Sequence, residues 1–206
     1  MTMQNSYRFS AFRRWEKSCI SIREIDGWLL DGQDRLLLDI ATWLPDWSTI
    51  LEIGAFKGRG TVCLGMGCKW THKHVYALDT FCGNVTDFVV DDPFYVEWAH
   101  NVRRFELEPW VSPLCGRSSS FYGYWIHPIH FLFIDGSHEY EDVLADYENF
   151  YPYVVPGGII ALHDVGMRPD KDVGFDGPHK VWYELASKQL TNHGRCSTMV
   201  YGRKPI

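Results

Sequence analysis

The sequence predicts an α/β fold: an open, mostly parallel sheet with helices on both faces and an antiparallel last strand. Three observations lead there. Short apolar runs rich in β-branched residues alternate along the chain with segments of helical periodicity. Most of those runs are continuously apolar, so they suit strands covered on both faces. Several end on a carboxylate or a glycine-rich turn, which gathers polar chemistry at one sheet edge.

The chain has 206 residues, 46% of them hydrophobic and 22% charged, which fits one globular domain over 1–206. Within it, residues 1–45 read as helices that pack on or cap the core. The net charge of -6 gives no support to a nucleic-acid partner. Six cysteines are scattered without metal-site spacing and read as reduced thiols. No apolar stretch approaches the length of a membrane span, and Met1 to Lys17 lacks an apolar signal core. A soluble cytoplasmic protein without a membrane partner is expected.

Phe9, Phe12, Trp15 and Cys19 recur at helical spacing. Leu36, Leu37, Ile40, Ala41 and Leu44 mark one face of a second helix, from about Gln33 to Pro45. Thr49 to Ile53 is the first strand, followed by the turn Gly54-Ala55-Phe56-Lys57-Gly58-Arg59-Gly60. A helix then covers about Arg59 to Met66, with Gly65 and Gly67 marking its end or a close approach to the sheet. His74 to Asp79 is the second strand. Beyond the long Thr80 to Pro93 loop, where Asp91-Asp92 signals a helix start, Phe94 to Phe105 is helical. Val111 to Cys115 is a third strand, and Ile129 to Asp135 a fourth. The next helix takes Ser137 as N-cap, with Glu139 and Glu141 in its first turn and Val143, Tyr147 and Phe150 on its buried face. Asp142 and Asp146 fall on its polar face. Pro152, Pro156 and Gly157-Gly158 stop it before a fifth strand, Ile159 to Asp164. A loop to Pro178, a helix over His179 to Gln189 and a strand over Ser197 to Tyr201 complete a doubly wound, Rossmann-like order.

Ligands of such sheets bind at the carboxyl ends of the strands, near the point where strand order reverses. Here those ends carry Glu52 with the glycine loop, then Asp79, Asp135 and His163-Asp164. The loop lacks the GK[ST] ending of a phosphate-binding P-loop, and its GxxxGxG spacing departs from the dinucleotide GxGxxG. Asp79 stands where an acidic residue grips ribose hydroxyls. A nucleoside with a small zwitterionic tail fits this set best.

Glu52-Ile53-Gly54-Ala55-Phe56-Lys57-Gly58 and Val75-Tyr76-Ala77-Leu78-Asp79 resemble the first two motifs of class I S-adenosylmethionine-dependent methyltransferases. Phe133-Ile134-Asp135-Gly136-Ser137-His138-Glu139-Tyr140-Glu141, Pro156-Gly157-Gly158 and Leu162-His163-Asp164 resemble the small O-methyltransferases related to catechol and macrolide-sugar enzymes. Asp79-Thr80-Phe81-Cys82-Gly83 resembles that branch too. The resemblance implies that S-adenosylmethionine is held by Gly54, Gly58 and Gly60 over Glu52, with Asp79 and Thr80 at the ribose. Gly116 and Ser118 would lie beside adenine, and Asp135 at the cofactor's edge. Asp135 and Asp164, with His163 beside them, fall where relatives hold Mg²⁺ or another divalent metal. His138 matches a proposed general base, and Asp135 is the second catalytic candidate.

A hydroxyl becomes a competent nucleophile only when its proton is removed or its pKa lowered, which a histidine or a divalent ion accomplishes. At a helix N-terminus His138 would have its charged form disfavoured. Many relatives have an acidic residue where His163 stands, and imidazole suits softer ions than Mg²⁺. His127, His130 and His179 read as structural. The expected reaction is methyl transfer to a hydroxyl of a small molecule: a sugar, polyketide or aromatic alcohol. A non-catalytic S-adenosylmethionine-binding module and an NAD(P)-dependent oxidoreductase are the alternatives. Phe81, Phe88, Phe94 and Trp98 are candidates for an apolar acceptor wall.

Overall fold

The computed structural model describes residues 22–82, 93–166 and 176–206. The expected first helix, Asp91-Asp92, Phe88, Cys19 and most of the two long loops lie outside them. The described elements are α1 (Gln33–Trp43), β1 (Thr49–Ile53), α2 (Arg59–Cys68), β2 (His74–Asp79), α3 (Pro93–Arg104) and β3 (Val111–Cys115). They continue with β4 (Ile129–Ile134), α4 (Tyr140–Phe150), β5 (Val154–Leu162), α5 (Asp176–Val181), β6 (Thr191–Cys196) and β7 (Met199–Arg203). After α5 the helix runs on through a π-helical turn, Trp182–Ala186, to Gln189.

The seven strands lie in the order β3-β2-β1-β4-β5-β7-β6. The first five are parallel, and β7 runs antiparallel to both β5 and β6. Strand order therefore reverses between β1 and β4. Successive strand residues face opposite sides of the sheet, and each side is covered. Ile50, Val75, Phe131 and Phe133 pack under α1, α2 and α3. Leu51, Ile53, Leu132 and Ile134 pack under α4 and α5. That double burial is why these strands read as continuously apolar.

Gly67 lies inside α2 and abuts α1 rather than the sheet. A Cβ there would stand 2.6 Å from the Cβ of Ala41 and 2.9 Å from the carbonyl oxygen of Leu38. Gly65 makes the corresponding approach to Val111 of β3. Gly67→Ala should therefore destabilise the fold by about 1–2 kcal/mol, because overpacking outweighs a helix-propensity gain of about 1 kcal/mol. A thermal melt with an unchanged or raised Tm would contradict this. The buried Lys73 ends α1 from outside, its Nζ donating to the carbonyls of Ala41 and Thr42.

Four expectations need correction. The N-cap of α4 is Glu139, without a side-chain cap; Ser137 Oγ instead accepts the Glu139 N–H at 3.2 Å and donates to Asp142. Asp146 is buried rather than on a polar face, because Tyr122 packs over that side of α4 and donates to it at 2.7 Å. Strand β5 begins at Val154 and carries Pro156-Gly157-Gly158 within it, across a register shift against β4. The last strand is half of a hairpin. Its partner β6, Thr-Asn-His-Gly-Arg-Cys, is a polar edge strand with no apolar alternation to announce it.

Among the described residues, no helix is long and apolar enough to cross a membrane. The five described cysteines are all free thiols.

Candidate active site

The carboxyl ends of the parallel strands are tied to one another by backbone hydrogen bonds. Gly116 donates to Asp79 and Gly54 to Leu78, while Asp135 donates to Ile53 and His163 to Ile134, at 2.8–3.0 Å. The polar residues singled out from sequence are thus held along one rigid edge at the strand reversal. Gly54 takes φ 94° and lies against the Asp135 carbonyl, where a Cβ would collide. No other residue type fits both conditions.

Asp79 secures the turn on either side of it. Its Oδ2 accepts the Phe56 N–H at 2.8 Å and its Oδ1 accepts the Phe81 N–H at 2.6 Å. Phe56 and Phe81 both adopt positive φ, 46° and 57°, a conformation held here by that carboxylate. A carboxylate offers about four acceptor positions, so these bonds are compatible with gripping ligand hydroxyls. Thr80 Oγ1 accepts from the Cys82 N–H at 3.3 Å. Phe81 and Trp98 are core residues, their rings 5.6 Å apart. Phe94 instead packs on Phe56 at 4.9 Å, and Trp28 covers the other part of that ring at 4.8 Å.

Glu52 points into the apolar layer beneath α2. Its Oε2 accepts the Thr61 hydroxyl, and Thr61 in turn accepts the indole N–H of Trp98 at 3.1 Å. Burial raises its pKa from an ordinary 4.5 to about 8, with the Thr61 bond opposing. Because the folded pKa is raised, Glu52 contributes stability that is present below pH 4.5 and lost as pH rises through about 8. Glu52→Gln keeps an acceptor for Thr61 and should flatten that decline, whose ceiling is roughly 5 kcal/mol. Urea unfolding of both proteins between pH 5 and about 8 checks it, and parallel pH profiles would reject the assignment.

At the other end, Ser118 Oγ lies 3.2 Å from the Tyr122 hydroxyl, which reaches Asp146. Burial raises the pKa of Asp146, with the Ser118 and Tyr122 bonds opposing.

The densest cluster lies past β4 and β5. Asp164 takes φ 57°, turning the chain so that His163 and Asp164 both approach Asp135, although neighbours in a strand would face apart. His163 Nδ1 stands 2.9 Å from Asp135 Oδ1 and 3.2 Å from Asp164 Oδ2. Yet that nitrogen is buried without an aligned hydrogen bond to either. Ligand atoms of the three residues lie within 4.8 Å of one another, a grouping able to hold a metal ion. Burial disfavours charge on His163, but the two carboxylates outweigh it and push its pKa to about 10. A positive charge is favoured between them, and a bound cation would supply the same charge. Asp135 is raised by burial against the pull of His163. Burial also opposes ionisation of Asp164, but the neighbouring His138 and His163 rings prevail and hold it well below the carboxylate range.

His138 Nε2 lies 2.9 Å from Asp164 Oδ2. An ionised carboxylate can only accept, so Nε2 carries the hydrogen and the basic lone pair of the neutral ring is on Nδ1. The backbone of His138 is fixed as well, its carbonyl accepting the Gly177 N–H at 3.1 Å from the start of α5.

Two participants were not visible in the sequence reading. Gln33, fully buried at the start of α1, places Oε1 2.9 Å from His163 Nε2. Gly177 seats α5 against His138. A polar residue at the first position of an apolar-faced helix was the only available signal for Gln33, and it reads equally well as a solvated helix start.

The family described as "Methyltransferase domain" matches residues 51–165, more than half of the chain and every tip just described. The chain belongs to this family. An uncharacterised protein of Acanthamoeba polyphaga mimivirus is 28% identical to it over 128 residues, 60% of this chain and 54% of that protein. The aligned stretch thus spans about half the length of that relative. Among solved structures, the fold is shared with an O-methyltransferase of Bacillus cereus in complex with SAH. That match has TM-score 0.65 and 16% identity, covering 95% of this chain and 91% of the other. It is also shared with the O-methyltransferase TomG of Streptomyces achromogenes, in complex with SAM. There the TM-score is 0.67 at 16% identity, covering 100% and 91%. At such identities the likeness concerns the fold, a methyltransferase sheet with its final strands antiparallel.

Proposed function

We propose that this methyltransferase transfers a methyl group from S-adenosylmethionine to a hydroxyl of a small molecule, a sugar, polyketide or aromatic alcohol. A divalent ion held by Asp135, His163 and Asp164 assists it. The observation that carries the reading is the chain His138–Asp164–His163–Asp135, at the same sheet edge as the glycine turn and Asp79. It joins a histidine base to a cation-favouring group, the two devices that activate a hydroxyl. The bound SAH and SAM of the Bacillus and Streptomyces O-methyltransferases support the choice of cofactor.

When bound, S-adenosylmethionine supplies an activated methyl group and the divalent ion lowers the pKa of a nearby hydroxyl. The chain's own residues do the rest. Gly54, Gly58 and Gly60 let the turn approach the methionyl end closely, and the first-turn N–H groups of α2 favour its carboxylate. Glu52, kept largely neutral below pH 8 by burial, keeps charge off the floor of that turn. Asp79 accepts the ribose hydroxyls with Thr80 beside it, and Ser118 and Gly116 border the adenine. Asp135 spans both functions, standing at the cofactor's edge and in the cation cluster. His138 Nδ1 takes the acceptor's proton, while Asp164 fixes the ring and stabilises the charge it gains. In-line placement of the acceptor oxygen then supplies most of the rate.

Calorimetry with S-adenosylmethionine tests the cofactor, and turnover of a hydroxyl-acceptor panel before and after EDTA tests the metal. Binding in the micromolar range is expected, with EDTA-sensitive turnover restored by a divalent ion. Absence of binding under every metal condition would overturn the reading. Tight binding with no turnover on any acceptor would favour a non-catalytic module.

A further inference from the structure

Gln33 determines which nitrogen of His163 faces the two carboxylates. Its Nε2 lies 3.2 Å from the Cys196 carbonyl oxygen, which can only accept, and 3.0 Å from Thr198 Oγ1. That contact orients the amide. Its Oε1 must then be the atom facing the Leu30 N–H, at 2.6 Å, and His163 Nε2, at 2.9 Å. Facing an oxygen acceptor, Nε2 has to carry a hydrogen. The neutral ring therefore presents its lone pair on Nδ1, between Asp135 and Asp164, and a lone pair between two carboxylates calls for a cation. Without a metal, a proton on Nδ1 supplies that charge, and a bound cation would take its place between Asp135 and Asp164.

We propose that Gln33 is a positioning residue that holds His163 in its Nε2–H tautomer, so that the cluster selects a late first-row divalent ion over Mg²⁺. The inference rests on the metal-assisted reading above and deepens it by naming the class of ion. An imidazole nitrogen with two carboxylate oxygens suits Fe²⁺, Co²⁺, Ni²⁺ or Zn²⁺, whereas Mg²⁺ prefers oxygen ligands throughout. A histidine whose remote N–H is held by a carbonyl oxygen is the usual arrangement of a metal-ligating imidazole. The site draws on four separated segments: the start of α1, the ends of β4 and β5 and the β6–β7 hairpin. Ligand orientation is thereby built into the fold.

The test titrates the full chain, with S-adenosylmethionine present and absent, with Co²⁺, Zn²⁺ and Mg²⁺, following heat and the visible absorption of Co²⁺. Wild type should bind Co²⁺ at least about 100-fold more tightly than Mg²⁺. His163→Asp, which converts the set to oxygen, should lower that ratio by about tenfold or more and alter the Co²⁺ spectrum. Gln33→Met should weaken Co²⁺ binding by about 10–100-fold. Mg²⁺ binding as tightly as Co²⁺ to wild type would overturn the selectivity while leaving a metal-assisted methyltransferase intact. If S-adenosylmethionine binds but none of the divalent ions does, with cofactor present or absent, both this inference and the metal assistance are overturned. If S-adenosylmethionine fails to bind, the proposed function falls while the metal titrations still decide this inference. Should Gln33→Met not fold, ¹⁵N shifts of the His163 ring in wild type report the tautomer directly. Hydrogen on Nδ1 alone would refute the role of Gln33.

Discussion

Asp79→Ala is expected to weaken S-adenosylmethionine binding by 10²-fold or more. Two hydroxyls donating to an ionised carboxylate contribute about 1.5–3 kcal/mol each. Their joint loss corresponds to roughly two to four orders of magnitude in Kd. The substitution also strips acceptors from the N–H groups of Phe56 and Phe81, which hold the turns on either side. A further stability loss of about 1–3 kcal/mol should therefore accompany it. Asp79→Asn separates the two effects, since its carbonyl oxygen retains one backbone bond and half of the ribose acceptors. Its affinity should fall between wild type and alanine, with most of the stability retained. Calorimetry alongside thermal melts reads both quantities. Equal affinity in wild type and Asp79→Ala would remove Asp79 from the cofactor site.

His138→Ala should lower kcat by 10²–10⁴-fold, the range for loss of a positioned general base, with S-adenosylmethionine affinity changed less than about threefold. The split follows from the geometry. His138 bonds to Asp164 and is seated by α5, whereas the glycine turn and Asp79 belong to β1 and β2. Asp135→Ala should lower turnover comparably but also disturb the cation cluster, so its loss should coincide with weaker divalent-ion binding. Steady-state rates under saturating S-adenosylmethionine, with metal titrations of each variant, test the pair. A His138→Ala enzyme that turns over at the wild-type rate would dismiss the base.

The parts of the fold most legible in sequence were those enclosed on both sides. Strands β1 and β2 occur at the expected residues, because each is a short apolar run bounded by turns. The buried face of α4 is likewise Val143, Tyr147 and Phe150, at helical spacing. Legibility failed where a partner distant in sequence decided the outcome. Strand β6 is polar because it is an edge, and only its pairing with β7 makes it a strand. Asp146 looked solvated because nothing local shows that Tyr122 will pack over it. Ser137 satisfied the local rule for a helix cap, yet its hydroxyl engages Asp142 and the Glu139 N–H.

The same division runs through the candidate site. Sequence alone determined that acidic residues and a glycine turn end the strands, since strand periodicity and turn chemistry are local properties. It also determined which residues those are: Glu52, Asp79, Asp135, His163 and Asp164. Tertiary structure alone decided what they do to one another. It turned Asp164 back toward Asp135, sank Glu52 into an apolar layer, and brought Gln33 onto His163 across 130 positions of sequence. Those outcomes depend on the left-handed turn at Asp164, on the helices that cover the sheet, and on the β6–β7 hairpin that braces Gln33. Hydrogen-bond direction and burial are properties of packed neighbours, so a one-dimensional pattern can name the groups but not orient them.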